Sequence, residues 1–483
     1  MKVLNRFAAS VLMLAIAGPA FAADIVSSKP DNDAAEISAL RERLDKLETQ
    51  QRETFRKAEV TKSVDQVIED AARRSQMMDI GSLTAGHKDG KFFIGSEDGK
   101  FVLKPVFHLQ FRHITNRRQD FRNGGANDDT QDGFEVRRMK FGFEGNAFTP
   151  ELTYHFLWAT VRGSGTANVN NAAGTKIGTV SNSLGGAPLL EEAWAKYHFS
   201  GTDFSVRAGQ IKDPLLHDQV VSSKAQLGVE RSITADIFAN GDGFTEAVTV
   251  IWDPKKEIRA EAGFTHGMRS ANTNYLDFPN TNAYNYGFVA RGEYKLMGNW
   301  KDYTQMTAVG VKDQLLVVGL GADYSERGDS SQVVAALDVS YASPNGLSAY
   351  AAFVDRYTTH NFGIYNGSST GASIGTPDPA IAGRSTNEYS LVAQVGYLMK
   401  NNIEPYGRFE YMRLQGTAAG SRNYVTAITA GANYYLYGNG CKVTAQITYL
   451  PNGIPIDDGG SDILASPAGN GEVVGSIQFQ LAL

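Results

Sequence analysis

The chain has 483 residues, a formal net charge of −6, 42% hydrophobic and 10% aromatic residues, 50 glycines and a single cysteine. The negative balance speaks against a general nucleic-acid binder, whose affinity comes from an excess of Lys and Arg. Cys441 has no partner for an internal disulfide, and no run of about 20 apolar residues follows the N-terminal segment, which excludes a spanning helix.

The first 22 residues read as a secretory signal peptide. Lys2 and Arg6 give a positive start, Val11 to Ala17 a short apolar stretch, and Ala20-Phe21-Ala22 a small-x-small site with cutting after Ala22. Export of this kind places the mature chain outside the cytoplasm. Residues 23–80 read as a helical, coiled-coil-like periplasmic segment. Its part 34–76 is charged and free of Gly and Pro, and Ile37, Leu40, Leu44 and Leu47 follow an a/d spacing. A second apolar set, Val60, Val64, Val67, Ile68 and Ala71, comes after a polar break. So short a seam is marginal alone, because helices are costly to nucleate. The reading is an oligomerisation helix, against a solvated tether, and any peptidoglycan contact is expected here.

Residues 95–483 read as an all-β domain, a transmembrane antiparallel barrel of about sixteen strands. The signal is alternation. In 101–113, Phe101, Leu103, Phe107, Leu109 and Phe111 share one face, and Lys104, His108, Gln110 and Arg112 the other. In 286–296, Tyr286, Phe288, Ala290, Tyr294 and Leu296 oppose Arg291, Glu293 and Lys295. The last strand sets Ile477, Phe479, Leu481 and Leu483 against Ser476, Gln478 and Gln480. The polar face carries charges and nothing else in the sequence could cover the apolar one, so lipid is the expected cover. Short connections rich in Gly, Pro, Asn and Asp alternate with long polar ones, as periplasmic turns and extracellular loops should. Two departures stand out: 297–314 is long where a turn is due, and 325–332 is short where a loop is due.

Three stretches resemble the phosphate-selective porin family, porins O and P of Gram-negative outer membranes. The first is Phe134-Glu135-Val136-Arg137-Arg138-Met139-Lys140-Phe141-Gly142, similar to the family's paired-arginine second strand. The second is Leu189 to Tyr197 followed by Val206-Arg207-Ala208-Gly209-Gln210-Ile211-Lys212-Asp213-Pro214, and the third is Ser222-Ser223-Lys224 with Glu230-Arg231-Ser232. Ile211 and Leu215 replace the family's phenylalanines, and Leu483 replaces its terminal Phe. The resemblance implies a homotrimer of sixteen-stranded porins in outer-membrane lipid, with a third extracellular loop folded into the pore. The connection 212–243 holds that position. It also implies small anions such as phosphate as permeant solutes, and points first to Arg137, Arg138 and Lys212.

Parity puts Lys104, Arg112, Arg138, Lys140, Arg207, Arg259, Arg291, Lys295 and Arg408 on the lumen face, and the third loop adds Lys212, Lys224 and Arg231. Arg137 falls on the lipid-side parity. Rings of Lys and Arg favour anions, and arginine's planar fork suits phosphate. Glu144, Glu261, Glu293, Glu404 and Glu410 share the lumen faces, so the same cations could simply be paired. No nucleophile elbow, Walker loop or His-Glu-x-x-His motif occurs, and no enzyme activity, metal or cofactor is expected. The expected function is passive diffusion of small solutes through an anion-preferring porin. The alternative is a non-conducting structural barrel that anchors the outer membrane through its N-terminal helix.

Overall fold

The computed structural model describes residues 42–47, 83–88, 90–119, 130–160, 165–170, 176–182, 188–239, 243–268, 270–272, 284–359, 384–415, 423–454, 462–464 and 470–483. The chain divides into two compact units, 1–81 and 82–483. Within the first, 42–47 form a short exposed helix carrying a Glu42–Lys46 pair at 2.9 Å. The expected signal peptide and the rest of the expected 34–76 helix lie outside the described residues.

The second unit is made of strands. They are β1 (Leu83–Lys88), β2 (Lys91–Ser96), β3 (Val102–Arg118), β4 (Thr130–Asn146), β5 (Leu152–Thr160), β6 (Gly165–Asn170), β7 (Lys176–Asn182), β8 (Pro188–His198), β9 (Phe204–Lys212) and β10 (Phe244–Trp252). There follow β11 (Ile258–Thr265), β12 (Tyr286–Met297), β13 (Leu315–Arg327), β14 (Ser330–Ala342), β15 (Leu347–Thr358), β16 (Thr386–Tyr397), β17 (Ile403–Arg413), β18 (Tyr424–Tyr437), β19 (Cys441–Leu450) and β20 (Glu472–Ala482). Among the described residues, sixteen of these, β3 to β5 and β8 to β20, close into an antiparallel barrel. Closure runs from Glu472 opposite Arg118 to Ala482 opposite His108. The fold expected from alternation is the fold observed.

Its surface is inverted relative to a soluble protein. Phe288, Leu320 and Ile477 point outward and are exposed, while Gln110, Asp338 and Gln480 point inward and are buried. Such an arrangement is favourable only where lipid is the outer solvent. The connections alternate as expected, and both departures are real. The β12–β13 connection is a long excursion with a 3₁₀ turn at Asp302–Thr304 and no strand near Thr307 to Asp313. The β13–β14 connection is two residues, and Gly328 supplies the left-handed φ of 55° that so tight a turn needs.

Two hairpins have no counterpart in the sequence reading. β6 pairs with β7 inside the 162–188 loop. β1 and β2 extend the sheet ahead of residue 95: Ile94 and Gly95 pair with Leu103 and Val102, on the stretch of β3 that β20 does not reach.

The β9–β10 connection decides what the barrel contains. Residues 213–239 form the short helices His217–Val220 and Ile233–Phe238 and are almost wholly buried. Ser232 caps the second by accepting the Ala235 N–H at 3.0 Å. Leu215, Leu216, Leu227, Ile233 and Phe238 pack with the inward-facing Val334, Val354, Val392, Met412 and Val425. The apolar core therefore lies inside the barrel, between this loop and one side of the wall.

Candidate functional site: the loop-lined lumen

The loop is held along its length by wall side chains, mostly through its own backbone. Arg291 of β12 donates to Leu215 O at 3.1 Å, Gln480 of β20 to Lys224 O at 2.9 Å, and Lys442 of β19 to Gln226 O at 2.7 Å. Asn433 of β18 donates to Leu227 O at 2.8 Å, Arg408 of β17 to Glu230 O at 3.1 Å, and Arg356 of β15 to Ile237 O at 2.8 Å. Glu410 accepts the Thr234 N–H and O–H, both at 2.9 Å. Backbone groups buried away from water must find such partners, so these polar residues fix the loop's path.

The tightest contact involves the paired arginines. Gln110 pairs with Arg138 and Phe111 with Val136, so Arg137 is the extra residue of a β-bulge. The bulge turns both arginines inward, and Arg137, placed on the lipid side by simple parity, is buried in the lumen. Arg137 Nε, Arg138 Nη2 and Arg112 Nη1 reach the Glu230 carboxylate at 2.5, 2.6 and 2.7 Å. Arg112 also pairs with Glu135 at 2.7 Å and Asp462 at 2.5 Å. Burial alone would raise the Glu230 carboxyl, but the three guanidinium groups outweigh it and hold it well below the usual carboxylate range. Asp462, from the β19–β20 loop, is pushed up to about 6 by burial, against the pull of Arg112.

Most other expected cations are also matched. Lys140 meets Glu191 at 2.5 Å, and Arg291 meets Asp338 and Glu293 at 2.9 and 2.8 Å. Arg207 pairs with Glu261, Arg259 with Glu293, and Arg408 lies 3.1 Å from Glu410. Arg259 also stacks over Trp300 at 4.1 Å. A smaller group has no carboxylate partner among the described residues. Lys212 donates to Val220 O, Arg231 to Asp218 O and Val221 O, and Lys295 to Gly298 O. No ion pair is seen for Lys104 or Lys224 among the described residues. Sequence reasoning overlooked Arg356, paired with Glu388 at 2.6 Å, although it shares inward parity with Tyr350 and Val354. It also missed that Glu230, in a loop, would join residues of β3 and β4.

The inner wall is not uniform. From β12 to β20 most polar inward residues are shut off from solvent: Asp323, Asp338, Glu404, Glu410 and Lys442 are each 0–1% exposed. On β5, β8, β9 and β11 the inward His155, Trp194, Lys196, Arg207 and Glu261 stay half-buried. His155 stacks on Trp194 at 5.5 Å, and Arg207 lies 5.7 Å from the indole ring. The accessible lumen thus lies along β5 to β11.

The family "Phosphate-selective porin O and P" matches residues 107–277, which hold the bulged arginines and the root of the lumen loop. Over those residues the chain resembles these porins. Among solved structures, the barrel resembles an anion-selective porin from Comamonas acidovorans with a TM-score of 0.50 and 9% identity, over 79% of this chain and 99% of that one. The OmpF of Salmonella typhi, in complex with daunomycin, gives 0.49 and 13%, over 80% and 99%. At such identity the likeness concerns the fold alone. No curated protein matches the sequence.

Proposed function

We propose that this chain is an outer-membrane porin for passive diffusion of small solutes, with a preference for anions and with phosphate among them. The observation that carries the reading is a closed sixteen-stranded barrel, apolar outside and charged inside, whose third long loop narrows the lumen without covering the β5–β11 wall. Anion preference is supported by Lys104, Lys212, Lys224 and Arg231, cations with no carboxylate partner among the described residues. Phosphate at Arg137 and Arg138 would have to compete with Glu230, which already fills their forks. The lysines are therefore the freer contacts for a passing anion. We also assign the chain to the Gram-negative outer membrane after cleavage of residues 1–22, as a homotrimer to which the 34–76 helix contributes.

The deep burial of 213–239 favours a second reading, a barrel plugged by its own loop. Planar-bilayer recording of the purified, heat-modifiable protein separates the two. A porin gives steady conductance, an anion-side reversal potential in a KCl gradient, and block by added phosphate. A folded barrel that carries no current would leave the plugged anchor.

A further inference from the structure

The root of the lumen loop is fastened by two acids. Asp213 follows directly on β9, and its N–H donates to Gly243 O at 2.6 Å, closing the loop's neck. Its Oδ1 accepts the Leu215 N–H at 3.0 Å. Asp323 projects inward from β13, and its Oδ1 accepts from Ser325 Oγ at 2.7 Å. The two residues are 2% and 0% exposed, and the negative field of Asp323 reaches the Asp213 carboxyl. Neither Oδ2 has a hydrogen-bond partner among the described residues. The loop backbone lies flat on the strand here: a Cβ on Gly321 would sit 1.9 Å from Leu215 O.

The charges around the pair are already committed. Lys212 of β9 donates to Val220 O. Glu261 of β11, held by Arg207, adds further negative field. Arg291 of β12 is bound to Asp338 of β14, Glu293 and Leu215 O. His217, on the loop, is stacked on Tyr303 at 3.7 Å and kept neutral by burial and then by Arg291. No cation pairs with either acid among the described residues. Two adjacent carboxylates stripped of water cannot both be ionised.

We propose that Asp213 and Asp323 form a proton-binding site, one proton shared between them, that fastens the root of the 213–243 loop to β13. Burial, and then the field of Asp323, pushes the Asp213 carboxyl well above its ordinary range. A site whose value is raised in the seated state binds more protons there than when released. The fastening is therefore firm in acid and weakens as pH rises through the raised value. Above it both acids are charged, and the loop root is repelled from the wall.

Hydrogen exchange of the folded, detergent-solubilised full chain tests this without relying on conductance. Peptides within 213–239 are compared with peptides of β9 and β10 after correction for intrinsic exchange. Between about pH 5 and about pH 9, loop protection should fall by about tenfold or more relative to the strands. Asp323→Asn donates an amide hydrogen to Asp213 without titrating, and its loop protection should stay level over the same range. Asp213→Asn is the second variant should the first not fold, with heat-modifiable migration as the folding check. A flat wild-type profile overturns the proposal, as does a pH dependence that survives in the folded variant. Loosening on chelation at fixed pH, reversed by Ca²⁺, would show a metal ion between the acids and overturn it as well.

Discussion

Two arcs of one barrel wall, built from the same alternating pattern, have different interiors. From β12 to β20 most inward polar groups are enclosed, and several hold the lumen loop. On β5, β8, β9 and β11 they face accessible space. The contrast teaches that inward parity and charge do not by themselves make a residue pore-lining. The loop decides which cations are enclosed as scaffold and which stay half-buried. Arg291, Arg356 and Arg408 belong to the first group; Lys212 and Lys224 to the second.

The largest effect should come from erasing the contrast. Replacing 217–239 with a short flexible linker would open the β12–β20 arc, and single-channel conductance should rise by roughly threefold or more. Unchanged conductance in a folded barrel would mean that the loop does not limit flow. Next is Glu230→Ala, which strands three buried guanidinium groups. Removing one partner of a buried ionic cluster costs about 3–5 kcal/mol, so the heat-modification midpoint should drop and anion preference should increase. A midpoint equal to wild type would show that Glu230 is not the loop's main clamp. Lys212→Glu with Lys224→Glu is the converse change, at half-buried loop cations with no carboxylate partner among the described residues. Reversal potential should move toward cations while the midpoint stays near wild type; the opposite pairing of outcomes would exchange the roles of Glu230 and the two lysines.

A smaller effect follows pH. Asp462 is raised to about 6, so its proton is bound below that value, and the charge it offers Arg112 is lost as pH falls through 6. Because its folded value is raised, protonation does not destabilise the fold. It leaves the arginine cluster more positive, and anion preference should rise modestly in acid. Asp462→Asn should remove that step from the reversal-potential profile.

Much of the barrel was legible from sequence because strand alternation is local: each residue's side follows from its neighbours. Sixteen strands, the order of turns and loops, and the irregular connections around β13 could all be read this way. The paired arginines show where this ends. A single bulge residue resets parity, so Arg137 reads as lipid-facing and folds inward. Arg356 was readable but overlooked. Pairings such as Arg112 with Glu230 and Asp462 join residues 118 and 350 positions apart, and no periodicity encodes them.

Sequence by itself determined the inverted barrel, since lipid outside and paired backbone throughout leave an alternating chain no other stable form. Only tertiary structure decided the lumen. The path of 213–239 is set by backbone hydrogen bonds to Arg291, Asn433, Lys442, Gln480 and Arg356, side chains of five different strands that meet only when the barrel has closed.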